Sequence, residues 1–442
     1  MTTGLLRHPL GFPVDVETAF LALDDGQGYA LWLDEHGERG SGTSYLAFPS
    51  AVPPQRRDSG GWKSPMLPEE AGAGDMLGSV PLGVFFVLPY EAGHEFVGMT
   101  SVSALPTHAL WVDRVLAIDH HTGAGELWAL GDHWSGDTGA WREESESRLR
   151  TATPVPVSPL VGKRSAVWRD SEDRYRDMIG AAHAAITEGD AYQLCLTTSI
   201  TIPGDCDPVA LHRIMRATSP THHQALIRLG ETTLVSASPE TFLEISASRR
   251  VSTKPIKGTR PRSTDPREDE RLATDLLESD KERAENLMIV DLMRNDLSKV
   301  CEVGSVVVPA LCVLESYATV HQLVSTVEGQ LRPGVGLWEV LTQCFPAGSM
   351  TGAPKKRAME VLKAQESGPR GYYSGVYGVE RVDGSATVAM TIRTAVVDSQ
   401  ALTLGVGGGI TALSVPGEEI REVGIKARAF FDALGVSSDD YS

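Results

Sequence analysis

The stretch 279–292, SDKERAENLMIVDL, has the pattern of an amphipathic helix that carries one carboxylate on its apolar side. Ser279 followed three residues later by Glu282 is the capping-box pattern that begins helices. Glu285 precedes Met288 by three residues, so on a helix the two side chains share a face. Because burying a lone carboxylate is costly, we expect Glu285 to be paired or to bind a ligand.

On both sides of this predicted helix, the sequence has the patterns of strands and helices. Residues 1–150 have the pattern of short strands and turns, 151–162 is a Pro-rich connector, and 163–435 combines strands with helices. This mixture favours an α+β fold over an alternating doubly wound sheet, and we expect the two regions to be intertwined in one globular unit. Helices are predicted at 171–187, 266–295, 337–344, 354–365 and 416–434. Strands are predicted at 29–33, 44–48, 82–88, 110–118, 192–202, 232–236, 242–245, 251–256, 374–381 and 389–397, and within 303–327.

Composition excludes several classes of function. The chain has 442 residues, with 40 Lys and Arg against 58 Asp and Glu, a formal charge of −18. This acidic balance argues against a partner such as nucleic acid or an anionic membrane. Five scattered cysteines without a C-x-x-C pair argue against a zinc site or a disulfide framework. With no bilayer-spanning stretch and no signal-peptide core, we expect a cytoplasmic protein.

The segment 252–262, STKPIKGTRPR, is the strongest cluster of positive charge. It places Lys254, Lys257, Arg260 and Arg262 within eleven residues. If these side chains converge, they attract an anion. Lys257 stands in an apolar context, where a desolvated lysine loses proton affinity and can act as an amine nucleophile or base. The alternative is a solvated strand end with ordinary surface lysines.

Two glycine-bearing segments allow a ligand to approach the backbone. In 345–355, FPAGSMTGAPK, glycines precede Pro354, and free N–H groups at such a helix start can receive a carboxylate or phosphate. Residues 405–409, GVGGG, follow a predicted strand. Neither segment matches the P-loop or dinucleotide fingerprint, so plain turns stay the alternative.

Glu422, near the C-terminus, has two interpretations. It precedes Lys426 by four residues, which is the spacing of an exposed helical ion pair worth ~0.3–0.5 kcal/mol. If Glu285 and Glu422 instead converge, two carboxylates plus waters form a site for Mg²⁺ with positions open for substrate oxygens. Spacing alone leaves both open, and the residues together indicate a site for a small, multiply negative substrate.

Several segments that occur in one order resemble a known enzyme family. They are 189–193 GDAYQ, 238–240 SPE, 255–260 PIKGTR, 282–292 ERAENLMIVDL, 294–297 RNDL, 352–355 GAPK, 392–394 IRT and 407–410 GGGI. The chain resembles the chorismate-utilising enzymes, which include anthranilate synthase component I, aminodeoxychorismate synthase component I, isochorismate synthase and salicylate synthase. The resemblance is dense over 171–431 and looser over 12–130. It implies an α/β sandwich of two packed β-sheets flanked by helices, within the α+β class.

The resemblance also implies roles for individual residues. Glu285 and Glu422 resemble the ligands of a Mg²⁺ ion that grips the ring carboxylate of chorismate. Glu240 resembles the acid that protonates the departing 4-hydroxyl, for which burial must raise its pKa. Arg393 and Tyr373 resemble the partners of the enolpyruvyl carboxylate. Substrate contacts are implied for Gln193, Gly258, Thr259, Arg260, Gly407, Gly408 and Gly409.

Three positions distinguish branches of the family. Gln193 replaces the lysine that activates water in the isochorismate and salicylate branches, and glutamine cannot act as that base. Lys257 matches the lysine of aminodeoxychorismate synthases, where anthranilate synthases usually have alanine. In that branch the lysine attacks C2 as the 4-hydroxyl leaves, and ammonia then enters at C4 and expels the lysine. Gln322 stands where anthranilate synthases have a histidine linked to pyruvate elimination, so a lyase step is disfavoured.

The resemblance therefore implies formation of 4-amino-4-deoxychorismate for p-aminobenzoate and folate biosynthesis. No cysteine lies in a Gly-x-Cys-x-Gly elbow, so a separate glutamine amidotransferase subunit is the expected ammonia source. The alternatives are an anthranilate or 2-amino-2-deoxyisochorismate synthase, which aminate C2, and a non-catalytic paralogue. The sequence departs from the family at Ala347, Leu413, Val415 and 219–223, SPTHH, and the last change disfavours tryptophan binding.

Overall fold

The fold is described from a computed structural model, which describes residues 4–36, 42–51, 55–56, 62–63, 78–100, 105–157, 160, 164–317 and 320–436. Its helices are α1 Val16–Leu23, α2 Ala92–Phe96, α3 Gly136–Thr151, α4 Glu172–Thr187, α5 Pro208–Thr218, α6 Pro266–Glu278, α7 Asp280–Ser298, α8 Leu337–Cys344, α9 Lys355–Gln365 and α10 Pro416–Leu434, with a short 3₁₀ helix at Gly348–Met350. None of these helices has the length and apolar character needed to cross a membrane.

The strands follow in chain order. They are β1 Leu5–Pro13, β2 Tyr29–His36, β3 Gly42–Ala47, β4 Ser50–Ala51, β5 Gln55–Arg56, β6 Trp62–Lys63, β7 Gly83–Leu88, β8 His108–Val112, β9 Arg114–Asp119, β10 Ala124–Leu130, β11 Val167–Trp168, β12 Gln193–Pro203, β13 His223–Leu229, β14 Thr232–Ser238, β15 Thr241–Ile245, β16 Arg250–Thr253, β17 Ile256–Pro261, β18 Val307–Ser316, β19 Val320–Gln330, β20 Gly352–Ala353, β21 Val376–Arg381, β22 Ala386–Met390, β23 Thr394–Val397 and β24 Ala401–Thr411.

Most of these strands form two large sheets, and the pairings within them are antiparallel. The first sheet has the order β1-β10-β9-β3-β2-β13-β14-β23-β24-β12-β11, with β20 also on β12. The second has the order β17-β19-β16-β15-β22-β21-β7-β8-β4, with β18 also on β19. The predicted α+β class is confirmed.

The sheets pack face to face, and helices cover their outer faces. Leu31 and Ile227 of the first sheet share one core with Phe85 and Tyr377 of the second. Helices α4, α5 and α10 contribute to a core on the other face of the first sheet, and α7 and α8 to a core on the second. This arrangement is the predicted sandwich of two sheets flanked by helices.

Helix α7 begins at the predicted Ser279 cap. The Ser279 hydroxyl oxygen accepts a hydrogen bond from the Glu282 backbone N–H at 3.4 Å. At the C-terminus, α10 begins with Pro416 in its first turn and ends at Gly435, whose φ of 66° lies in the left-handed region. Proline at a helix start and glycine just past its end are the favoured termini, because each fits the local backbone.

Several local predictions were wrong. The predicted strand 110–118 is two strands, because the chain passes at Asp113 from the second sheet to the first. The predicted strand 389–397 also divides between the sheets, at 391–393. The first 150 residues contain helices α1 and α2 and nearly all of α3 as well as strands and turns. The glycine segment 405–409 lies inside β24 instead of following a strand.

Candidate active site

A cavity of about 650 Å³ lies where β17 and β24 approach α7 and α10. Of the residues that the sequence nominated for a site, those that line it are Glu240, Lys257, Gly258, Thr259, Arg260, Glu285, Tyr373, Arg393, Gly407, Gly408, Gly409 and Glu422. Residues 352–355 at the start of α9 do not line it, so the anion site considered there is absent from this cavity.

Gly409 in β24 lies at the centre of this group. A Cβ atom at this position would stand 3.3 Å from both the Nζ atom of Lys257 and the Oε2 atom of Glu285. It would also stand 2.8 Å from Nε2 of Gln193, whose fully buried amide has no hydrogen-bond partner among the described residues. Gln193 therefore lies beside the cavity, against Gly409. A side chain at this position would displace the ends of these three side chains, which the glycine allows to approach one another.

Lys257 carries a positive charge that the surrounding carboxylates stabilise. Its Nζ lies 3.6 Å from Oε2 of Glu285, and its side chain is 13% exposed. Burial lowers the pKa of Lys257, but the negative charges of Glu285, Glu240 and Glu422 outweigh that effect and raise it above its ordinary value. The expectation that this lysine has a reduced proton affinity was therefore wrong for the protein without a bound substrate.

Glu240, in the turn between β14 and β15, is a buried carboxyl group with a raised pKa. It is 8% exposed, and its Oε1 accepts a hydrogen bond from Oγ of Ser349 at 3.1 Å. Burial raises the pKa of Glu240 to about 7, although Lys257 opposes the shift. This is the direction that a general acid requires.

Glu285 and Glu422 face the same cavity from different helices. Glu285 is buried, and desolvation raises its pKa while Lys257 opposes the rise. Glu422 is about half exposed and forms a salt bridge of 2.8 Å with Lys426, whose charge lowers the pKa of Glu422. The predicted ion pair with Lys426 forms, and Glu422 also lines the cavity with Glu285, while the Mg²⁺ site stays a prediction.

This donor set fits a hard divalent cation. Glu285 and Glu422 offer only carboxylate oxygens, which Mg²⁺ prefers, and two such residues leave positions for waters and substrate oxygens. Among the described residues, no group of three or more His, Cys, Asp or Glu side chains could hold a metal ion by itself.

Arg393 and Tyr373 form the wall near Glu240. Arg393 has a φ of 46°, and its guanidinium group has no hydrogen bond or salt bridge among the described residues. Burial lowers its pKa while Glu240 opposes that effect. The ring of Tyr373 packs directly on Gly405, where a Cβ would stand 2.1 Å from Cγ of the ring. A partly buried guanidinium without a hydrogen-bonded carboxylate favours an anion in the cavity.

The four cations of segment 252–262 do not converge. Lys257 and Arg260 line the cavity, but Nε of Arg260 donates to Asp275 at 2.7 Å. Lys254 lies in a separate cavity, and Arg262 forms a salt bridge of 2.8 Å with Asp269. The register explains the outcome, because β16 and β17 pair with different parts of β19 on either side of Lys254.

A buried arginine supports the back of the cavity. Arg370 donates hydrogen bonds to the carbonyl oxygens of Met350 at 2.6 Å and Cys195 at 2.8 Å, and both of these residues line the cavity. Its guanidinium also pairs with Glu366 at 2.7 Å and lies 4.2 Å from the ring centre of Tyr90. One group thus connects separate segments of the wall.

Sequence reasoning missed several lining residues. Ser349 lies in a segment that was read as a ligand-approach turn, and nothing distinguished its hydroxyl from that of any turn serine. Lys426 was considered only as the partner of Glu422, yet its Nζ also donates to the carbonyl of Gly407 at 2.7 Å. Lys281 could have been found, because it stands four residues before Glu285 and so one helical turn away.

The sequence profile of the family described as chorismate binding enzyme matches residues 58–432. The chain belongs to this family. The predicted resemblance is confirmed.

Similar proteins divide between two activities. An aminodeoxychorismate synthase of Streptomyces pristinaespiralis is 42% identical over 364 residues, which cover 80% of this chain and 51% of that protein. An anthranilate synthase component 1 of Haloarcula marismortui is 41% identical over 382 residues, covering 83% and 76%. The chain spans about half the length of the Streptomyces protein.

A solved structure supports the fold. The anthranilate synthase component I of Streptococcus pneumoniae matches with a TM-score of 0.74 and 23% identity, covering 96% of this chain and 98% of that one. At this identity the likeness shows the architecture alone, and it agrees with the two packed sheets described above.

Three of the residues that depart from the pattern of relatives, Gln322, Leu413 and Val415, have clear structural positions. Gln322 lines the cavity, whereas His321 points elsewhere, because its ring nitrogens contact Asp269 at 3.0 Å and Ser316 at 2.7 Å. Leu413 and Val415, which replace aspartates, are 61% and 51% exposed just before α10. No histidine next to Gln322 is therefore available to a substrate in this cavity.

Proposed function

We propose that this chain is component I of an aminodeoxychorismate synthase, which converts chorismate and ammonia to 4-amino-4-deoxychorismate. The observation that carries the proposal is the Nζ atom of Lys257 in the cavity, 3.6 Å from Glu285 and electrostatically coupled to Glu240. A nucleophilic amine and a carboxylic acid in one cavity are what displacement of a hydroxyl through a covalent adduct requires. The aminodeoxychorismate synthase relative supports the same assignment.

Substrate binding follows from the charges of the wall. Glu285 and Glu422 would hold Mg²⁺, which when bound supplies positive charge for the ring carboxylate of chorismate. The unpaired guanidinium of Arg393, with the phenol of Tyr373, suits the enolpyruvyl carboxylate, because an arginine fork binds a carboxylate with two parallel hydrogen bonds. The two carboxylates of the substrate are thereby bound by different walls.

The first chemical step needs Lys257 as a neutral amine and Glu240 as an acid. In the chain alone Lys257 is an ammonium and Glu240, with a pKa of about 7, is readily ionised. A proton passed from Lys257 to Glu240 leaves both groups in the required states. The lysine nitrogen then forms a bond to C2, the ring double bonds shift, and the C4–O bond breaks as Glu240 protonates the leaving oxygen to give water.

The second step reverses the displacement with a new nucleophile. Ammonia forms a bond to C4, the double bonds return, and the C2–N bond to Lys257 breaks. Four cysteines, Cys195, Cys206, Cys301 and Cys344, are poor candidates for releasing that ammonia from glutamine, because burial raises their pKa while a cysteine nucleophile needs a lowered pKa. A glutamine amidotransferase partner is therefore part of the proposal.

Amination at C2 is the second candidate function. The Haloarcula anthranilate synthase relative favours it, since this chain covers 76% of that protein at 41% identity. Lys257 and Gln322 in the cavity favour C4, because the first offers an amine nucleophile and the second cannot accept a proton as a histidine would.

The test is product analysis. The protein is incubated with chorismate, Mg²⁺ and an ammonium salt, and the product is identified by mass and NMR. A product aminated at C4 supports the proposal. Anthranilate or a product aminated at C2 replaces it with the second candidate, and an absence of turnover indicates a non-catalytic paralogue. Glu285→Gln then tests the metal site, because it should weaken Mg²⁺ and chorismate binding together.

A further inference from the structure

The two carboxylates proposed to hold Mg²⁺ come from helices that are anchored in different parts of the molecule. Glu285 lies on α7, which packs against β19 and α8, while Glu422 lies on α10, which packs against β24, α4 and α5. A divalent cation needs its ligand oxygens at about 2.0–2.1 Å, so the separation of these two helices determines whether both carboxylates can reach one ion.

An ion pair joins the helices next to these ligands. Nζ of Lys281 on α7 donates to Oε1 of Glu419 on α10 at 2.8 Å. Glu419 is 1% exposed, and Lys281 is its cationic partner among the described residues. A carboxylate buried this deeply is costly without such a partner.

The spacing along each helix relates this pair to the proposed ligands. Lys281 precedes Glu285 by four residues and Glu419 precedes Glu422 by three, so each member stands one helical turn from a ligand. Nζ of Lys281 also lies 4.0 Å from Oε1 of Glu285. The pair thus bridges α7 and α10 at the level of the cavity.

We propose that the Lys281–Glu419 ion pair is a positioning tether that sets the spacing of the Glu285 and Glu422 carboxylates for a divalent cation. The inference rests on the proposed function only in taking those two residues as the metal ligands. Lys281 and Glu419 bind neither metal nor substrate in this scheme, and they act by holding the two helix starts together.

Simple electrostatics makes the opposite prediction for Lys281. An ammonium 4.0 Å from Glu285 repels an incoming cation, so removing its charge alone should tighten Mg²⁺ binding. Removing a tether should weaken it, because residues that orient metal ligands typically contribute about 10–100-fold to metal affinity. The sign of the change therefore separates the two explanations.

The experiment measures the Kd of Mg²⁺ alone by calorimetry on the metal-free full chain. Lys281→Met and Glu419→Gln should each raise the Kd by about 10-fold. The double variant should match the single ones, because both remove the same contact. Lys281→Arg, which keeps the ion pair, should retain the native Kd, and so should the control Lys299→Met at the other end of α7.

Three results would overturn the tether. Lys281→Met could bind Mg²⁺ as well as or better than the native chain. Glu419→Gln could weaken binding further in the Lys281→Met background, which would make Glu419 itself a ligand. Lys281→Arg could fail to restore binding. A native chain that binds Mg²⁺ but does not aminate chorismate contradicts the proposed function while leaving the tether intact, and thermal unfolding confirms that each variant is folded.

Discussion

Nζ of Lys257 lies 3.6 Å from Oε2 of Glu285, so the proposed nucleophile and a proposed metal ligand form one ion pair at the wall of the cavity. Each group alters the pKa of the other. The lysine opposes the rise in the pKa of Glu285, and the glutamate raises the pKa of Lys257. The chemistry and the metal site are therefore electrostatically connected.

Lys257→Ala should abolish amination at C4 while leaving Mg²⁺-dependent chorismate binding in place. The substitution removes the nitrogen that would bond to C2, but it leaves Glu285 and Glu422 intact and removes a cation beside Glu285. Product formation and calorimetric chorismate binding are the measurements. Lys254→Ala, in the same segment but in a separate cavity, is the control and should keep native turnover. Normal turnover of Lys257→Ala would refute the covalent role.

The kcat/KM for chorismate should rise as the pH increases through about 7. The active state carries one proton on the Lys257–Glu240 pair, and below the Glu240 pKa of about 7 both groups are protonated, so no free amine can form. The measurement varies pH at a constant concentration of free ammonia. A kcat/KM that falls through this range would show that Glu240 must enter the reaction protonated beside an already neutral lysine.

Glu240→Gln should lower kcat by about 10²–10⁴-fold and stabilise the fold at pH 8. In the native chain the folded pKa of about 7 lies above the ordinary value of 4.5, so stability is present below pH 4.5 and declines as pH rises to about 7. A neutral amide at this position does not ionise, so it avoids a loss in the free energy of unfolding on the order of 1–3 kcal/mol. Urea unfolding at pH 4 and pH 8 compares the two proteins, and an equal difference at both would contradict the raised pKa.

Gly409→Ala should impair the site, whereas Gly424→Ala should strengthen the fold. A methyl group at 409 meets Gln193, Lys257 and Glu285, while one at 424 on α10 meets nothing within 4 Å. Alanine is favoured over glycine inside a helix by ~0.8–1 kcal/mol, so the control should raise Tm. Chorismate turnover and thermal unfolding of both variants are compared, and an active Gly409→Ala would mean that the three side chains can move apart.

Arg370→Met should destabilise the protein by about 3–5 kcal/mol, because it leaves Glu366 as a buried charge without its partner. Arg176→Met is the matched control. Its salt bridge with Glu172 also joins residues four apart, but the side chains are 46% and 44% exposed, so its loss should cost less than ~1 kcal/mol. Denaturant unfolding measures both, and equal losses would show that burial does not determine the strength of these pairs.

Helices with an apolar stripe or clear end signals were predictable. The bounds of α8 and α10 coincide with the predicted 337–344 and 416–434, and Glu285 is buried as its place on an apolar face required. Helix α3 was missed because its sequence is strongly polar, and its buried residues are Gly139, Ser145 and Leu149. Without a hydrophobic stripe, periodicity gives no signal.

Features that depend on distant segments could not be predicted. Residues 405–409 read locally as a turn, yet they form part of β24 because β12 pairs with them from Cys195–Gly409 to Ser199–Gly405, whereas β23 pairs only with residues 402–404. The charge of Lys257 depends on Glu240, Glu285 and Glu422, which are far apart in the sequence. Local patterns nominate side chains, whereas tertiary structure determines which of them share a cavity.

The strand order means that no cut between the early and late parts of the chain is harmless. Strand β2 pairs with β13 in one sheet and β7 pairs with β21 in the other, so deleting residues 1–150 would leave two long, unprotected ladders of peptide groups. Unpaired strand edges of this kind associate with other chains. A shortened enzyme that keeps all of its chemical groups would therefore be lost to aggregation before it met a substrate.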